Sequence, residues 1–250
     1  MRYIPINKLM DKNSLKEFVQ ITERAPNEIM SIVEILGLKP KAKLLDLCCG
    51  YGRHSIPLSN MGYKVVGFEI SESLLEKAKQ QAKQSSVEVD FVFGDMRKLS
   101  KKVDGDFDAV INIFTSFGFY TKDSDNQKAL NEVAKVLKPG GNFLIDLANR
   151  ENILKNFKRR QWFTYGDYIV LEENIFDFFS SRLETKRTYI GKDDSREISN
   201  FSIRLYSLHE MLAMINKAGL STSAIYGDFD MKQYSVDSRR MIILAQKPIT

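Results

Sequence analysis

The chain has 250 residues, 43% hydrophobic and 28% charged, which is enough for one large or two small domains of ordinary globular composition. No apolar run approaches the ~20 residues of a membrane span, and residues 1–13 carry Arg2, Lys8 and Lys12 without the apolar stretch of a secretory signal. The net charge is +5, but basic and acidic residues are interspersed, and the densest basic cluster is only Lys155–Arg160. We therefore expect a solvated, Lys-rich surface rather than a nucleic-acid partner. Cys48 and Cys49 are neighbours, which rarely bridge each other, so a reducing, cytoplasmic setting is expected.

Helix starts follow from a Ser placed three residues before Glu or Gln, at Ser14/Glu17, Ser73/Glu76, Ser124/Gln127 and Ser207/Glu210. Pro26 divides a helical N-terminal region, residues 1–43, into two helices, and Gly37 ends the second. Short apolar runs predict strands at 44–48, 64–69, 88–93, 107–112 and 141–147, with helices at 53–61, 72–84 and 124–138 between most of them. Pro139-Gly140-Gly141 reads as a turn before the fifth strand. After Arg150 the texture changes to alternating β-rich segments separated by Gly166, Ser180-Ser181 and Gly191–Asp194, read as an antiparallel insertion over 151–206. A helix at 208–218 and strands at 220–227 and 239–247 complete the main unit, 44–150 with 207–250. The class is α/β: a seven-stranded, mostly parallel sheet with helices on both faces and an antiparallel β insertion after strand five.

The first strand–turn carries the clearest chemistry. Leu44–Leu47 delivers the chain to Gly50-Tyr51-Gly52, where missing side chains allow a sharp turn and close ligand approach. The helix that follows points free N–H groups at the same spot, which suits a cofactor with a nucleoside part. Glu69 ends the second strand 17 residues after Gly52 and can accept both hydrogen bonds of a ribose diol. The third glycine of a dinucleotide fingerprint is absent, since Ser55 follows Arg53 and His54. Asp46 suits a positively charged cofactor.

These segments resemble the class I S-adenosylmethionine-dependent methyltransferases, a Rossmann-like family. Leu44–Arg53 looks like the family's first motif, with Cys48 where Gly is commoner, and Val65–Ser71 looks like the second. Phe91–Met96 is similar to the third, Phe107–Asn112 to the fourth strand, and Asn131–Leu147 to the segment entering the fifth. The resemblance implies S-adenosyl-L-methionine as cofactor. It assigns the ribose to Glu69, the adenine amine to Asp95 and the adenine faces to Ile70 and Met96. Asp46, Cys48, Gly50, Gly52, Arg53, Gly94, Asn112 and Phe114 complete the expected cofactor set.

Methyl transfer from a sulfonium is a displacement helped mainly by proximity and alignment, so the sequence need not display a catalytic dyad, and no catalytic residue or metal ligand is assigned. The expected acceptor is a small molecule, methylated at O, N or C. Its pocket is expected around the aromatic loop 114–120 and the insertion, with Phe117, Tyr120, Trp162, Tyr206 and His209 as candidates; Tyr165 and Tyr189 are further lid residues. His54 is a second histidine near the cofactor loop, and Arg187, Arg204 and Arg239 are candidates for an acidic substrate. An RNA or protein methyltransferase, or a non-catalytic cofactor-binding module, is the alternative. The insertion's edge strands predict a homodimer as one way of covering them.

Overall fold

The computed structural model describes residues 25–249; the Ser14/Glu17 start lies outside them. Helix α1 (Ala25–Leu36) ends at Gly37, whose φ is +56°. Then follow β1 (Lys43–Leu47), α2 (Ser55–Asn60), β2 (Lys64–Glu69), α3 (Glu72–Gln84), β3 (Asp90–Phe93), a 3-10 segment (Met96–Lys101), β4 (Phe107–Asn112), α4 (Asp123–Val136) and β5 (Leu137–Ala148). Helix α5 (Arg150–Lys155) precedes β6 (Arg160–Tyr165), β7 (Tyr168–Asp177), β8 (Arg182–Ile190) and β9 (Arg196–Arg204). Helix α6 (Leu208–Lys217), β10 (Ser221–Tyr226) and β11 (Arg240–Gln246) close the chain.

The main sheet has the order β10-β11-β5-β4-β1-β2-β3 and is parallel except where β11 pairs with its neighbours. Strands buried on both faces read as continuous apolar runs, and β1 shows how each face is filled. Leu45 and Leu47 pack with Leu130, Val133 and Ile215 of α4 and α6, while Leu44 packs with Ile29 and Ile32 of α1. The chain order reverses between β1 and β4, so their carboxyl ends frame the crevice where open α/β sheets bind ligands.

Strands β6–β9 form a second, wholly antiparallel sheet. Its register gathers Gln161, Glu172, Arg187 and Ser199 into one cross-strand row, and Asn174, Thr185 and Phe201 into the next, on a single face.

Several local expectations shift. Helix α3 is capped by Ser71, whose Oγ accepts from Leu74 N at 3.4 Å, rather than by Ser73; Glu69 Oε1 already takes the N–H groups of Ile70 and Ser71, which turns the chain earlier. Lys122 occupies the cap position of α4 without a side-chain bond, and Gln127 reaches Met214 O instead of closing a capping box. The box at Ser207/Glu210 is formed. Pro139-Gly140-Gly141 is not a turn but the bulged start of β5: Gly140 N donates to Lys247 O and Lys247 N to Gly141 O, which keeps the backbone paired. The short helix α5 was not anticipated; Asn149 caps it by accepting from Glu151 N and Asn152 N.

Candidate active site

After β1 the backbone enters the left-handed region at Cys48 (φ +64°), Gly50 (+57°) and Gly52 (+87°). Cys48 N and Cys49 N both donate to Phe68 O, which pins the loop to the end of β2. Those two bonds hold Cys48 in a strained backbone conformation and the loop in a fixed shape. A Cβ at Gly50 would meet nothing within 4 Å, and Gly50 lines a cavity, so open space stands where a side chain would be. At Gly67 and Gly94 the need is packing: a Cβ would come within 2.7 Å of Phe91 and 2.4 Å of Phe68 respectively.

Glu69 is buried at the cavity wall. Its carboxylate accepts from Gly50 N at 3.0 Å, Ile70 N at 2.8 Å and Ser71 N at 2.9 Å, so glycine loop and acid are one hydrogen-bonded unit. Burial pushes its pKa up against those three amides. Burial likewise drives both thiols well above their ordinary value, so Cys48 and Cys49 are packing groups that line the cavity rather than nucleophiles.

The cavity has a volume of about 650 Å³. It runs from Cys48–Tyr51 and Glu69, past Phe114–Ser116, to the face of the second sheet that bears Glu172, Asn174, Thr185 and Arg187. Of the expected cofactor set, Cys48, Gly50, Arg53, Glu69 and Phe114 line it. Asp46 lies behind the loop and accepts from Ser55 Oγ at 2.6 Å; Asn112 donates to Leu47 O at 2.9 Å. Gly52 turns into α2, and Gly94 N donates to Glu69 O. Ile70 follows Glu69 at the strand end and is half-buried. Asp95 stands one residue past Gly94 and is engaged by its neighbours: Arg97 binds it through two side-chain nitrogens, and Tyr120 OH donates to it at 2.7 Å. Burial would raise the Asp95 pKa, but Arg97 and Tyr120 outweigh it and hold it below the usual value. Met96 is buried with its sulfur 3.9 Å from that of Cys48.

The acceptor candidates fare differently. Phe117 and Tyr206 pack on each other in the core at 5.6 Å, and Tyr206 OH donates to Asp123 at 2.7 Å. Tyr120 is committed to Asp95. Trp162 is 68% exposed on the opposite face of the sheet, and His209 is exposed on α6. Neither these five nor Tyr165 lines the cavity, whereas Tyr189 does. Arg204 is tied to Glu210 at 2.5 Å, while Arg187 and Arg239 line the cavity.

One charged assembly escaped the sequence. Glu28 of α1 is buried and accepts from Arg53 Nη1 at 2.7 Å, with His54 Nε2 at 3.4 Å and Arg240 Nη2 at 3.7 Å. Burial alone would raise the Glu28 pKa, yet His54, Arg53 and Arg240 hold it low. Arg240 also binds Asp146, which has no exposed surface. Burial disfavours the Arg240 charge, but Asp146 and Glu28 raise its pKa overall. Asp146 in turn takes Phe114 N at 2.8 Å through its carboxylate and Thr115 N at 2.9 Å through its carbonyl. Phe114 (φ +67°) and Thr115 (φ +56°) are successive left-handed residues, and the guanidiniums of Arg53 and Arg240 lie over the Phe114 ring at 5.4 and 5.7 Å. The loop after β4 is thus fixed at the wall of the cavity.

Residues 44–141 match the methyltransferase-domain family. The glycine/sarcosine N-methyltransferase of Aphanothece halophytica is 27% identical over 230-odd aligned positions (234), covering 92% of this chain and 86% of that protein. An S-adenosylmethionine-dependent methyltransferase from Clostridium acetobutylicum superposes with a TM-score of 0.83 at 16% identity, over 94% of this chain and all of its own. CalS10 from Micromonospora echinaspora, an amino pentose methyltransferase solved with S-adenosylmethionine, superposes at 0.68 and 18% identity, over 91% and 95%.

Proposed function

The chain is a class I S-adenosylmethionine-dependent methyltransferase, and we propose that it methylates a small-molecule acceptor held between the glycine loop and the inner face of the four-stranded sheet. The observation that carries this reading is the single cavity of about 650 Å³ reaching both. Ligand sites span ~300–1,000 Å³, and this one has to hold cofactor and acceptor together, which favours a small acceptor over a macromolecular segment. The names of two relatives agree: one acts on glycine and sarcosine, the other on an amino pentose. RNA or protein as acceptor and a non-catalytic cofactor-binding role are the alternatives.

S-adenosylmethionine supplies an electrophilic methyl group already activated by the sulfonium charge. In our reading Glu69 holds the ribose diol, Gly50 and Cys48 let the backbone approach the nucleoside, and Asp95 and Met96 border the adenine. Asp146 holds the 113–116 loop as one wall of the transfer site, so the protein's contribution is alignment and exclusion of water. Where the acceptor arrives protonated, His54 is the cavity-lining imidazole able to take that proton. We assign catalysis to 44–150 with 207–250, the roof of the site to 151–206, the setting to the cytoplasm and the assembly to a homodimer. No helix among the described residues is long and apolar enough to cross a membrane.

The test is calorimetric titration with S-adenosylmethionine and with NAD, followed by transfer of labelled methyl to small amines, acids and alcohols, and to RNA and protein. Cofactor binding with label entering small acceptors is expected. Label entering only RNA or protein would overturn the small-molecule reading, and cofactor binding without turnover on any acceptor would favour the non-catalytic module.

A further inference from the structure

Charges around the cavity sort into two groups. At the cofactor end, the cations Arg53 and Arg240 are matched from behind the wall by Glu28 and Asp146. Glu69 is held by backbone amides. On the roof, Arg187 Nε donates to Glu172 Oε2 at 2.7 Å and its guanidinium lies over the Phe201 ring at 5.0 Å. Glu172 is buried; its other oxygen accepts from Gln161 at 2.6 Å and from Asn174 at 2.8 Å. Burial would raise its pKa, but Arg187, Asn174 and Gln161 keep it low, so the acid is fully engaged in orienting its neighbours. Two further cations line the cavity, Lys158 before β6 and Arg239 before β11, and both are exposed. Among the described residues neither has a carboxylate partner, whereas the other members of the 155–160 basic cluster that pair do so elsewhere: Lys155 with Asp237 and Arg160 with Glu173.

From this arrangement we infer that the methyl acceptor is an anion, a small carboxylate or phosphate, recognised by Arg187 on the roof with Lys158 and Arg239 at the rim. The inference rests on the small-molecule reading above and names its substrate class. An arginine held by an aromatic face and a buried carboxylate presents to the cavity a guanidinium of fixed orientation, the group that carboxylates and phosphates fit. Two unmatched cations in the lining of the same cavity raise the local concentration of an anion without a competing internal partner. The bound cofactor's sulfonium adds positive charge at the far end of the same cavity, so an anionic acceptor lowers the electrostatic cost of filling it. The transfer itself is balanced for any such acceptor: the nucleophile's lone pair forms the new bond to carbon, the carbon–sulfur bond breaks, its electrons stay on sulfur, and the nucleophile's proton, where it had one, passes to His54 and from there to solvent.

The experiment uses the full chain saturated with S-adenosylhomocysteine and follows binding of benzoate, phenyl phosphate and uncharged benzamide by calorimetry. At least one anion is expected to bind about tenfold or more tightly than benzamide, as for a charge-assisted hydrogen bond. Lys158→Gln and Arg239→Gln, both surface substitutions that leave Glu172 paired, are each expected to reduce that preference, and the double variant to reduce it most. Arg187→Lys, which keeps a cation beside Glu172, is expected to weaken the anion while leaving S-adenosylhomocysteine affinity unchanged. Carboxylate and phosphate are told apart by which of the two anions binds. Equal binding of anion and amide, no binding of any of the three, or a preference that survives the double variant overturns the inference. Failure of the small-molecule reading shows separately, as methyl incorporation confined to RNA or protein.

Discussion

Arg240→Met tests whether the buried charges behind Phe114 act as one unit. Arg240 is buried and binds Asp146, which has no exposed surface, while Glu28 stands 3.7 Å from its other terminal nitrogen. Removing the guanidinium leaves Asp146 as an uncompensated interior carboxylate; Glu28 keeps Arg53 at 2.7 Å. Breaking a buried pair from one side costs about 3–5 kcal/mol, which in a chain of 250 residues lowers Tm by roughly 6–20 °C. The partner variant Asp146→Asn keeps a carbonyl oxygen able to accept from Phe114 N. The double variant therefore removes the charge and keeps the loop's hydrogen bond. It is expected to be more stable than Arg240→Met alone, with an interaction energy of about 1–3 kcal/mol in a urea-unfolding cycle. Strict additivity of the two single variants would refute the reasoning, because it would mean that the pair is not coupled in the folded state.

Glu69→Gln sets an amide nitrogen against one of three backbone donors. It should weaken S-adenosylmethionine binding ~10–100-fold by calorimetry, the equivalent of losing a hydrogen bond to a charged group. Gly67→Ala brings a methyl within 2.7 Å of Phe91 and 3.0 Å of Cys49 Sγ; the overpacking should cost about 1–3 kcal/mol in urea unfolding and loosen cofactor binding, because Cys49 belongs to the glycine loop. Asp95 has a folded pKa below its unfolded value, so its stabilisation is complete above the ordinary Asp pKa of about 4 and is lost as pH falls below that. Asp95→Asn should accordingly flatten the acid limb of Tm between about pH 4 and pH 2, and an unchanged limb would count against the Arg97–Tyr120 network.

The glycine-loop end of the cavity left marks in the sequence because it is built from backbone. Positive φ at Gly50 and Gly52, a carboxylate ending β2 and a Gly-Asp pair just past β3 leave local marks in sequence, and the parallel sheet brings those strand ends together. The charged cluster behind Phe114 left no such marks. Glu28, Asp146 and Arg240 meet across more than 200 residues of chain, and nothing near Glu28 in the sequence announces that meeting. The aromatic loop divides for a physical reason: Phe117 and Tyr120 are needed beneath it, packing on Tyr206 and binding Asp95, while Phe114, Thr115, Ser116 and Phe119 line the cavity.

The roof inverts the usual rule for a two-faced sheet, and that inversion predicts the assembly. Along β7, Val170, Glu172, Asn174 and Phe176 are buried, whereas Ile169, Leu171 and Ile175 are exposed. Polar side chains point inward because the face they share with Thr185 and Arg187 lines a ligand cavity, and apolar ones are left outside. Trp162, Leu171, Thr188 and Ile198 form a single cross-strand row on that outer face, bordered by the charged row Arg160, Glu173 and Lys186. An apolar centre with a charged border has the make-up of an interface core and rim, and a two-fold axis through it would lay the patch on its own copy. We therefore expect a dimer by light scattering. Trp162→Glu, on the exposed face of the sheet opposite the cavity, should shift it to monomer with S-adenosylmethionine affinity retained. A wild-type chain that stays monomeric at high concentration would refute this use of the face and leave the methyl-transfer site as described.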